Sequence, residues 1–215
     1  MTGSRSCLET VEGFEGLWAA RRGNLSCVSV SLQSGGICLY SPVEKLSAEF
    51  VGKNPVHFLL APNHYHNKAI GEYSSTFGKA QLVCSKAARS RLEKVTSKKF
   101  SGLEALGDEL PNEVTLIEPE GLKTGEVWLR VQNGTRVAWI VTDAFCGLKK
   151  TDDERPKIGF LKTFPKYGVQ DPGLFTNWIR NRLELETPDL ILPCHGEQVR
   201  GPALKSDIQS LMDTL

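Results

Sequence analysis

The sequence lacks the signals that assign many proteins to a functional class. Its formal net charge is +1, far from the strongly basic character of most nucleic-acid-binding and membrane-surface proteins. It contains no phosphate-cradling glycine loop, no dinucleotide-binding fingerprint and no serine nucleophile elbow. We therefore expect neither nucleic acid nor a membrane among its partners, which leaves a small-molecule substrate as the expected partner. The oligomeric state is not indicated.

Signals for export and for disulfide formation are also missing. The first residues, MTGSRSCLETVEGFEG, have no apolar core of the signal-peptide kind, and no apolar run approaches the length of a membrane span. A cytoplasmic, reducing setting is therefore expected, in which cysteines are free thiols and mostly small buried residues. None of the cysteines forms a C-x-x-C pair; they are Cys7, Cys27, Cys38, Cys84, Cys146 and Cys194.

The hydrophobic pattern predicts an α/β protein. No Pro/Gly/Ser-rich linker interrupts residues 1–215, which are therefore predicted to form a single domain. β-rich segments alternate with helices, which favours two sheet layers with helices outside them, and the charged segment 149–156 is predicted to be an exposed loop. Strands are predicted at 26–32, 37–40, 56–61, 80–84, 114–117, 126–131, 136–142 and 190–192, and helices at 44–51, 68–77, 85–95, 172–185 and 203–215.

Polar side chains follow three of the predicted buried strands. The chain has four histidines, of which His64, His66 and His195 come directly after such strands, as does Asp143. Strand ends are where sheets commonly present ligands and catalytic groups. If the chain is extended at the H-x-H pair, His64 and His66 point to the same side and can share one metal ion. Taken alone, an H-x-H pair also occurs by chance or in core packing.

Four segments together resemble landmarks of the metallo-β-lactamase superfamily. SCVSVSLQSGGICLYSPV resembles its opening strands, and HFLLAPNHYHNKAIGEY occupies the place of its H-x-H-x-D-H segment. WIVTDAFCG resembles the strand ending in its metal-bridging aspartate, and LILPCHGEQVRG resembles its terminal His-Gly motif. The resemblance is to a divergent branch with S-P after the hairpin, here Ser41-Pro42, and P-N-x-x-H at the first motif. It implies a four-layer αβ/βα sandwich of two mixed β-sheets flanked by helices.

The departures from the superfamily pattern lie in its metal ligands. The Asp-His that follows H-x-H falls here on Lys68-Ala69, and the middle histidine falls on Leu122. Zinc sites normally need three or four protein ligands, and a two-metal hydrolase needs both positions filled. A lysine at position 68 would also place positive charge near the metal. A standard two-zinc hydrolase is therefore not expected.

Two hypotheses of different classes remain. In the first, His64, His66, Asp143 and His195 hold one zinc, iron or manganese ion with an open position for water. The protein would then hydrolyse a small ester, thioester, amide or phosphoester, with Asp143 or a water molecule on the metal as the base. In the second, a metal-free, non-catalytic descendant with a degenerate site serves as a binding or interaction protein. Fold analogy does not choose between them.

The sequence leaves alternative roles open for several other side chains. Glu118 or Glu120 would complete the metal site if the alignment shifts. Cys146 and Cys194 are either metal ligands, thiolate nucleophiles or buried small residues. Asn63 either orients a histidine or structures its loop. His57 is predicted to be structural, and Tyr65 and Tyr73 either line a pocket or pack in the core. A basic run is predicted to be a solvated helix face or an anion site; it consists of Lys86, Arg89, Arg91, Lys94, Lys98 and Lys99.

Overall fold

The computed structural model describes residues 8–149, 151 and 155–215. Cys7 and part of the predicted 149–156 loop lie outside the described residues. The strands, numbered along the chain, are β1 (Leu8–Thr10), β2 (Leu17–Arg22), β3 (Leu25–Ser31), β4 (Ile37–Tyr40), β5 (Val56–Leu60), β6 (Gln81–Val83), β7 (Val114–Ile117), β8 (Trp128–Asn133), β9 (Arg136–Val141), β10 (Cys146–Leu148), β11 (Lys157–Gly159), β12 (Leu190–Pro193) and β13 (Val199–Arg200). The helices are α1 (Ile70–Thr76), α2 (Lys86–Thr96), α3 (Glu104–Gly107), α4 (Phe164–Gly168), α5 (Pro172–Leu185) and α6 (Leu204–Met212).

The strands form two mixed sheets and a small hairpin. The first sheet has the order β1-β2-β3-β4-β5-β6, and the second has the order β13-β12-β9-β8-β7. In the first sheet β4, β5 and β6 run parallel, and in the second β9 and β12 do. The remaining pairs in both sheets are antiparallel. β10 and β11 pair separately.

Three apolar clusters hold the layers together. One fills the space between the sheets and draws residues from β2–β6 on one side and from β8, β9 and β12 on the other. The second joins the outer face of the first sheet to α1 and α2. The third joins the outer face of the second sheet to α4, α5 and α6. The resulting order of layers, helix–sheet–sheet–helix, is the predicted four-layer αβ/βα sandwich.

Local chemistry explains where the main helices begin. The Ser85 hydroxyl accepts a hydrogen bond from the backbone N–H of Ala88 at 3.2 Å and thereby caps α2. Asp171 caps α5 through the N–H of Leu174 at 2.9 Å, and Pro172 occupies the first helical position. No helix among the described residues is long and apolar enough to cross a membrane.

Most of the predicted elements are confirmed. Each predicted strand is present with ends shifted by two residues or fewer, and the helix 172–185 is present as predicted. The predicted helix over 44–51 is wrong: only a 3-10 turn, Ser47–Phe50, forms there. Lys45 has a φ of 65°, which interrupts a helix, and its backbone N–H donates instead to the carboxylate of Glu72. β1, β2, β10, β11, β13, α3 and α4 were not predicted.

Candidate metal centre

Strand register places Asp143 and His195 side by side. β9 and β12 are parallel neighbours in which Val141 pairs with Pro193, so Asp143 and His195 each lie two residues beyond a paired position. Gly196 has a φ of 78°, and a Cβ at that position would collide with the Gly147 carbonyl. Glycine is therefore required directly after His195, where the backbone turns away from the sheet edge.

A tight turn after β5 places His66 against the same edge. Asn63 is buried, and its Oδ1 accepts hydrogen bonds from the backbone N–H groups of Tyr65 at 2.8 Å and His66 at 3.2 Å. Its Nδ2 donates to Oδ2 of Asp143 at 2.8 Å. Of the two roles expected of Asn63, the structure shows the shaping of the histidine loop, and the Asn63 amide orients Asp143 instead of a histidine ring.

The donor atoms of three residues form a nearly equilateral triangle. His66 Nε2 lies 3.1 Å from Asp143 Oδ1, His195 Nε2 lies 3.0 Å from the same oxygen, and the two nitrogens are 3.3 Å apart. Zinc–nitrogen and zinc–oxygen bonds of about 2.0–2.1 Å in a tetrahedral site give donor–donor separations of about 3.3 Å. The residues present therefore fit one metal ion with an open fourth position.

Ser41 contacts the His66 ring nitrogen that is not part of the triangle. Its hydroxyl is 2.7 Å from Nδ1 of His66 and within hydrogen-bond distance of it. Ser41 is fully buried and has a φ of 56°, a left-handed conformation that costs energy for a residue with a Cβ. A proton on Nδ1 donated to Ser41 leaves the Nε2 lone pair free for a metal.

His64 lies outside this triangle. Among the described residues, the potential ligands that lie within 4.8 Å of one another are those of His66, Asp143 and His195. The H-x-H segment is a turn rather than extended chain, with the His66 N–H 3.3 Å from the Asn63 carbonyl, so the two imidazoles do not share a side. The His64 ring packs edge-on against the Tyr65 ring, with 4.3 Å between the two ring centroids. Burial and then the charge of Arg91 lower the pKa of His64.

The carboxylate of Glu126 is buried behind Asp143. It accepts hydrogen bonds from the Trp128 indole at 2.7 Å and from the backbone N–H groups of Thr142 at 3.3 Å, Asp143 at 3.3 Å and Ala144 at 3.2 Å. Glu126 therefore fixes the backbone that carries Asp143. Burial and then the negative charge of Asp143 raise the pKa of Glu126 to about 7.

Asp143 is held in its charged form. Burial acts to raise its pKa, but the charges and hydrogen bonds of His66 and His195 outweigh burial and hold the pKa well below its usual range. The two neighbouring carboxyl groups are thus separated in pKa, with Asp143 the anionic member at neutral pH.

Other predicted residues lie away from the triangle. Glu118 and Glu120 are exposed. Leu122 is half-buried, forms a backbone bridge with Val169 and packs against the third apolar cluster. Lys68 is exposed and does not lie between the histidines and Asp143, which touch directly. Burial raises the pKa of Cys146 to about 11, which opposes a thiolate role.

The structure also describes the other residues whose roles the sequence leaves open. Cys194 is fully buried, and burial raises its pKa well above its ordinary value. Tyr73 is fully buried and packs against Phe77. His57 lies on β5 beside Gly36, and the basic residues of α2 are mostly exposed on that helix.

A cleft of about 560 Å³ opens beside the triangle and includes His66, Asp143 and His195 in its lining. Most of its wall is apolar, and part of it comes from residues 161–168, which include α4. Tyr65 and Lys68 also line it. The cleft is large enough for a small organic molecule.

Sequence reasoning missed the roles of Ser41 and Glu126. In the sequence Ser41 is recognisable only as part of the S-P motif, although it directly follows a buried strand, as the histidines do. The sequence pattern predicts Glu126 as the first residue of a strand. Because a glutamate is usually exposed, nothing in the sequence around Glu126 signals its burial.

Comparison with known proteins identifies the fold. Neither a protein-family model nor a curated protein sequence matches the chain. The flavodiiron core Flv1 from Synechocystis sp. PCC6803 is 14% identical, with a TM-score of 0.62 over 96% of this chain and 60% of that one. A metallo-beta-lactamase from Pontibacter korlensis is 14% identical (TM-score 0.60; 97% and 100% of the two chains), and the DIM-1 metallo-beta-lactamase is 12% identical (TM-score 0.64; 96% of each). Together with the two mixed sheets, the flanking helices and the cluster at the strand ends, these similarities show that the chain has the metallo-β-lactamase fold.

Proposed function

We propose that the protein is a mononuclear metal-dependent hydrolase in which His66, Asp143 and His195 hold one zinc, iron or manganese ion. The observation that carries the proposal is the triangle of donor atoms with sides of 3.0, 3.1 and 3.3 Å. Two imidazoles and a carboxylate with an open position are typical of catalytic zinc sites and of non-haem iron sites. Similar structures named as metallo-beta-lactamases and as a metal-soaked flavodiiron core support a metal-binding role for the protein.

The surrounding residues would keep the ligands in a metal-binding form. An ion held there would polarise a carbonyl or phosphoryl oxygen and lower the pKa of a water molecule. The Asn63 amide donates a hydrogen bond to Oδ2 of Asp143, which leaves Oδ1 for the ion. Ser41 orients the His66 ring. Because the pKa of Asp143 is held well below its usual range, Asp143 is a weak base and suits the role of ligand better than that of catalytic base.

The size and lining of the cleft are consistent with a small substrate. Its volume of about 560 Å³ suits a small ester, thioester, amide or phosphoester, with the reacting bond next to the triangle and the rest of the molecule along the apolar wall. The competing hypothesis is a metal-free binding protein, in which His66 and His195 only donate hydrogen bonds to Asp143.

Hydrolysis after metal removal and restoration tests this proposal. The full-length protein is stripped with a chelator, supplied with one equivalent of Zn²⁺, Fe²⁺ or Mn²⁺, and assayed with p-nitrophenyl ester, thioester, anilide and phosphate substrates. We expect one metal to raise kcat/KM for one substrate class by about a thousandfold, because metal polarisation is worth several kcal/mol. Asp143→Asn should stay at the stripped level. A protein that binds one ion but hydrolyses none of the four substrates would contradict the catalytic claim, and one that binds no ion would support the metal-free alternative.

Removing the Ser41 hydroxyl should weaken the metal site without unfolding the protein. We expect Ser41→Ala and Ser41→Gly each to lower zinc affinity by about 10- to 100-fold, the usual effect of losing the partner of a ligating histidine. Glycine relieves the left-handed strain, so the free energy of unfolding of Ser41→Gly should exceed that of Ser41→Ala by about 1 kcal/mol. Zinc competition titration and urea unfolding measure the two effects. Unchanged zinc affinity in both variants would show that Ser41 does not support His66.

A further inference from the structure

The Arg21 side chain reaches from the first sheet to the loop that carries His195. Arg21 lies on β2 and is half-buried. Its Nη2 donates a hydrogen bond to the Gly196 carbonyl at 2.9 Å, and its Nη1 pairs with the carboxylate of Glu197. A guanidinium presents its donors in a rigid planar fork, so this one side chain holds both residues that follow His195.

Backbone hydrogen bonds hold the same loop on two sides. On the side of β3, the Gly196 N–H donates to the Asn24 carbonyl at 2.8 Å. On the side of β10, the Gly147 N–H donates to the His195 carbonyl at 3.2 Å, and the Glu197 N–H donates to the Gly147 carbonyl at 3.1 Å. The loop therefore lies between β3 and β10, and Arg21 adds a side chain of the first sheet to this arrangement.

The loop needs this support because of its place in the chain and its glycine. Residues 194–198 lie between β12 and β13 and belong to neither strand. Glycine has more backbone freedom than any other residue, and Gly196 has a φ of 78°. Nε2 of His195 must nevertheless stay 3.0 Å from Oδ1 of Asp143, because metal–ligand distances tolerate a deviation of only about 0.2 Å.

We propose that Arg21 is a positioning residue for His195: it fixes the backbone after His195 and thereby keeps the imidazole in the triangle. The contacts of Arg21 with Gly196 and Glu197 require no metal, so the positioning holds in the metal-free protein. Its consequence, a tighter metal site, rests on the proposed function. Because Arg21 acts through His195, its effect on metal affinity should disappear when His195 is absent.

Amide hydrogen exchange in the chelator-treated, full-length protein tests the positioning itself. We expect Arg21→Met to accelerate exchange of the Gly147 and Gly196 N–H groups by about tenfold, because losing charge-assisted hydrogen bonds makes local opening of the loop easier. The Ser101 N–H, which donates to the Leu82 carbonyl at the far edge of the first sheet, should exchange as in the parent. Unchanged exchange at Gly147 and Gly196, or an equal acceleration at Ser101, would overturn the proposal.

Zinc competition titration of single and double variants tests the consequence for the metal site. We expect Arg21→Met to lower zinc affinity by about tenfold, the lower end of the effect of groups that orient a ligating histidine. Added to Ser41→Ala, which acts on His66, it should again cost about tenfold, because independent changes are additive. Added to His195→Ala, it should cost less than about twofold. An undiminished loss in the His195→Ala background would show that Arg21 does not act through His195.

Arg22 is the matched control. It is the next residue of β2, is exposed, and donates to the Glu44 carbonyl at 3.2 Å instead of to this loop. Arg22→Met removes the same charge and should leave exchange and zinc affinity within about twofold of the parent. Equal losses in Arg21→Met and Arg22→Met would overturn the proposal. A protein that binds zinc but hydrolyses nothing leaves these outcomes unaffected. If the parent binds no zinc, the metal site fails with the proposed function, and exchange at Gly147 and Gly196 still decides the positioning.

Discussion

Replacing His66 or His195 with alanine is expected to lower zinc affinity by about a thousandfold or more. This loss exceeds the roughly 10- to 100-fold effect of removing a residue that only hydrogen-bonds a metal ligand. Each imidazole supplies one of the three donor atoms of the triangle, and a site left with two protein ligands falls below the number that zinc sites normally have. Competition with a chromophoric chelator, followed by atomic emission measurement of metal per chain, gives the affinity and the stoichiometry.

His64 is the matched control for His66. It is the same residue type in the same turn, but its ring packs on Tyr65 instead of joining the triangle. We expect His64→Ala to change zinc affinity by no more than about threefold, within the range of indirect effects. An equal loss in His64→Ala and His66→Ala would support the four-ligand site predicted from the sequence. Unchanged zinc affinity in the alanine variants of His64, His66 and His195 would show that the metal does not bind at these residues.

Removing the Glu126 carboxylate should produce the largest loss of stability. Glu126→Ala leaves the Trp128 indole and three backbone N–H groups, those of residues 142–144, without their acceptor in a buried place. We expect the free energy of unfolding to fall by about 3–5 kcal/mol, since a buried donor without a partner costs about 1–3 kcal/mol. Urea unfolding of the metal-free protein at pH 5, followed by tryptophan fluorescence, measures this. A loss below about 1 kcal/mol would mean that water replaces the carboxylate at no great cost.

The same residue should make stability depend on pH. Burial and then Asp143 raise the pKa of Glu126 from 4.5 to about 7, so the folded protein binds this proton more tightly than the unfolded chain does. The stabilisation is fully present below the unfolded pKa and is lost as pH rises through the folded pKa. Relative to Glu126→Gln, the metal-free parent should lose about 3 kcal/mol of unfolding free energy between pH 4.5 and pH 8. Parallel pH curves for the two proteins would contradict the raised pKa.

The positions of Asp143 and His195 could be predicted because both depend on strand periodicity. Apolar runs ending in Val141 and Pro193 predict buried strands, and parallel neighbours bring their carboxyl ends to one edge. Side chains just beyond two such strands therefore meet. The four landmark segments extended this reasoning to the fold, and the similarity of solved structures confirms it.

The place of His64 could not be predicted, because it depends on a side-chain hydrogen bond and not on periodicity. Asn63 accepts from two backbone N–H groups and bends the chain, so the alternation that would align His64 with His66 does not apply. Ser41 acts through a left-handed backbone that no spacing in the sequence indicates. Glu126 is a charged residue, and charged residues are usually exposed, so its burial became evident only with the four donors around it.

The central claim is that one metal ion is bound by His66, Asp143 and His195, and anomalous diffraction from crystals of the full-length protein grown with zinc tests it most directly. We predict a single strong anomalous peak about 2.0–2.1 Å from the Nε2 atoms of both histidines and from Oδ1 of Asp143, with a fourth position open to the cleft. Crystals with no peak at this edge of the sheets, while the three side chains keep their direct hydrogen bonds, would contradict it.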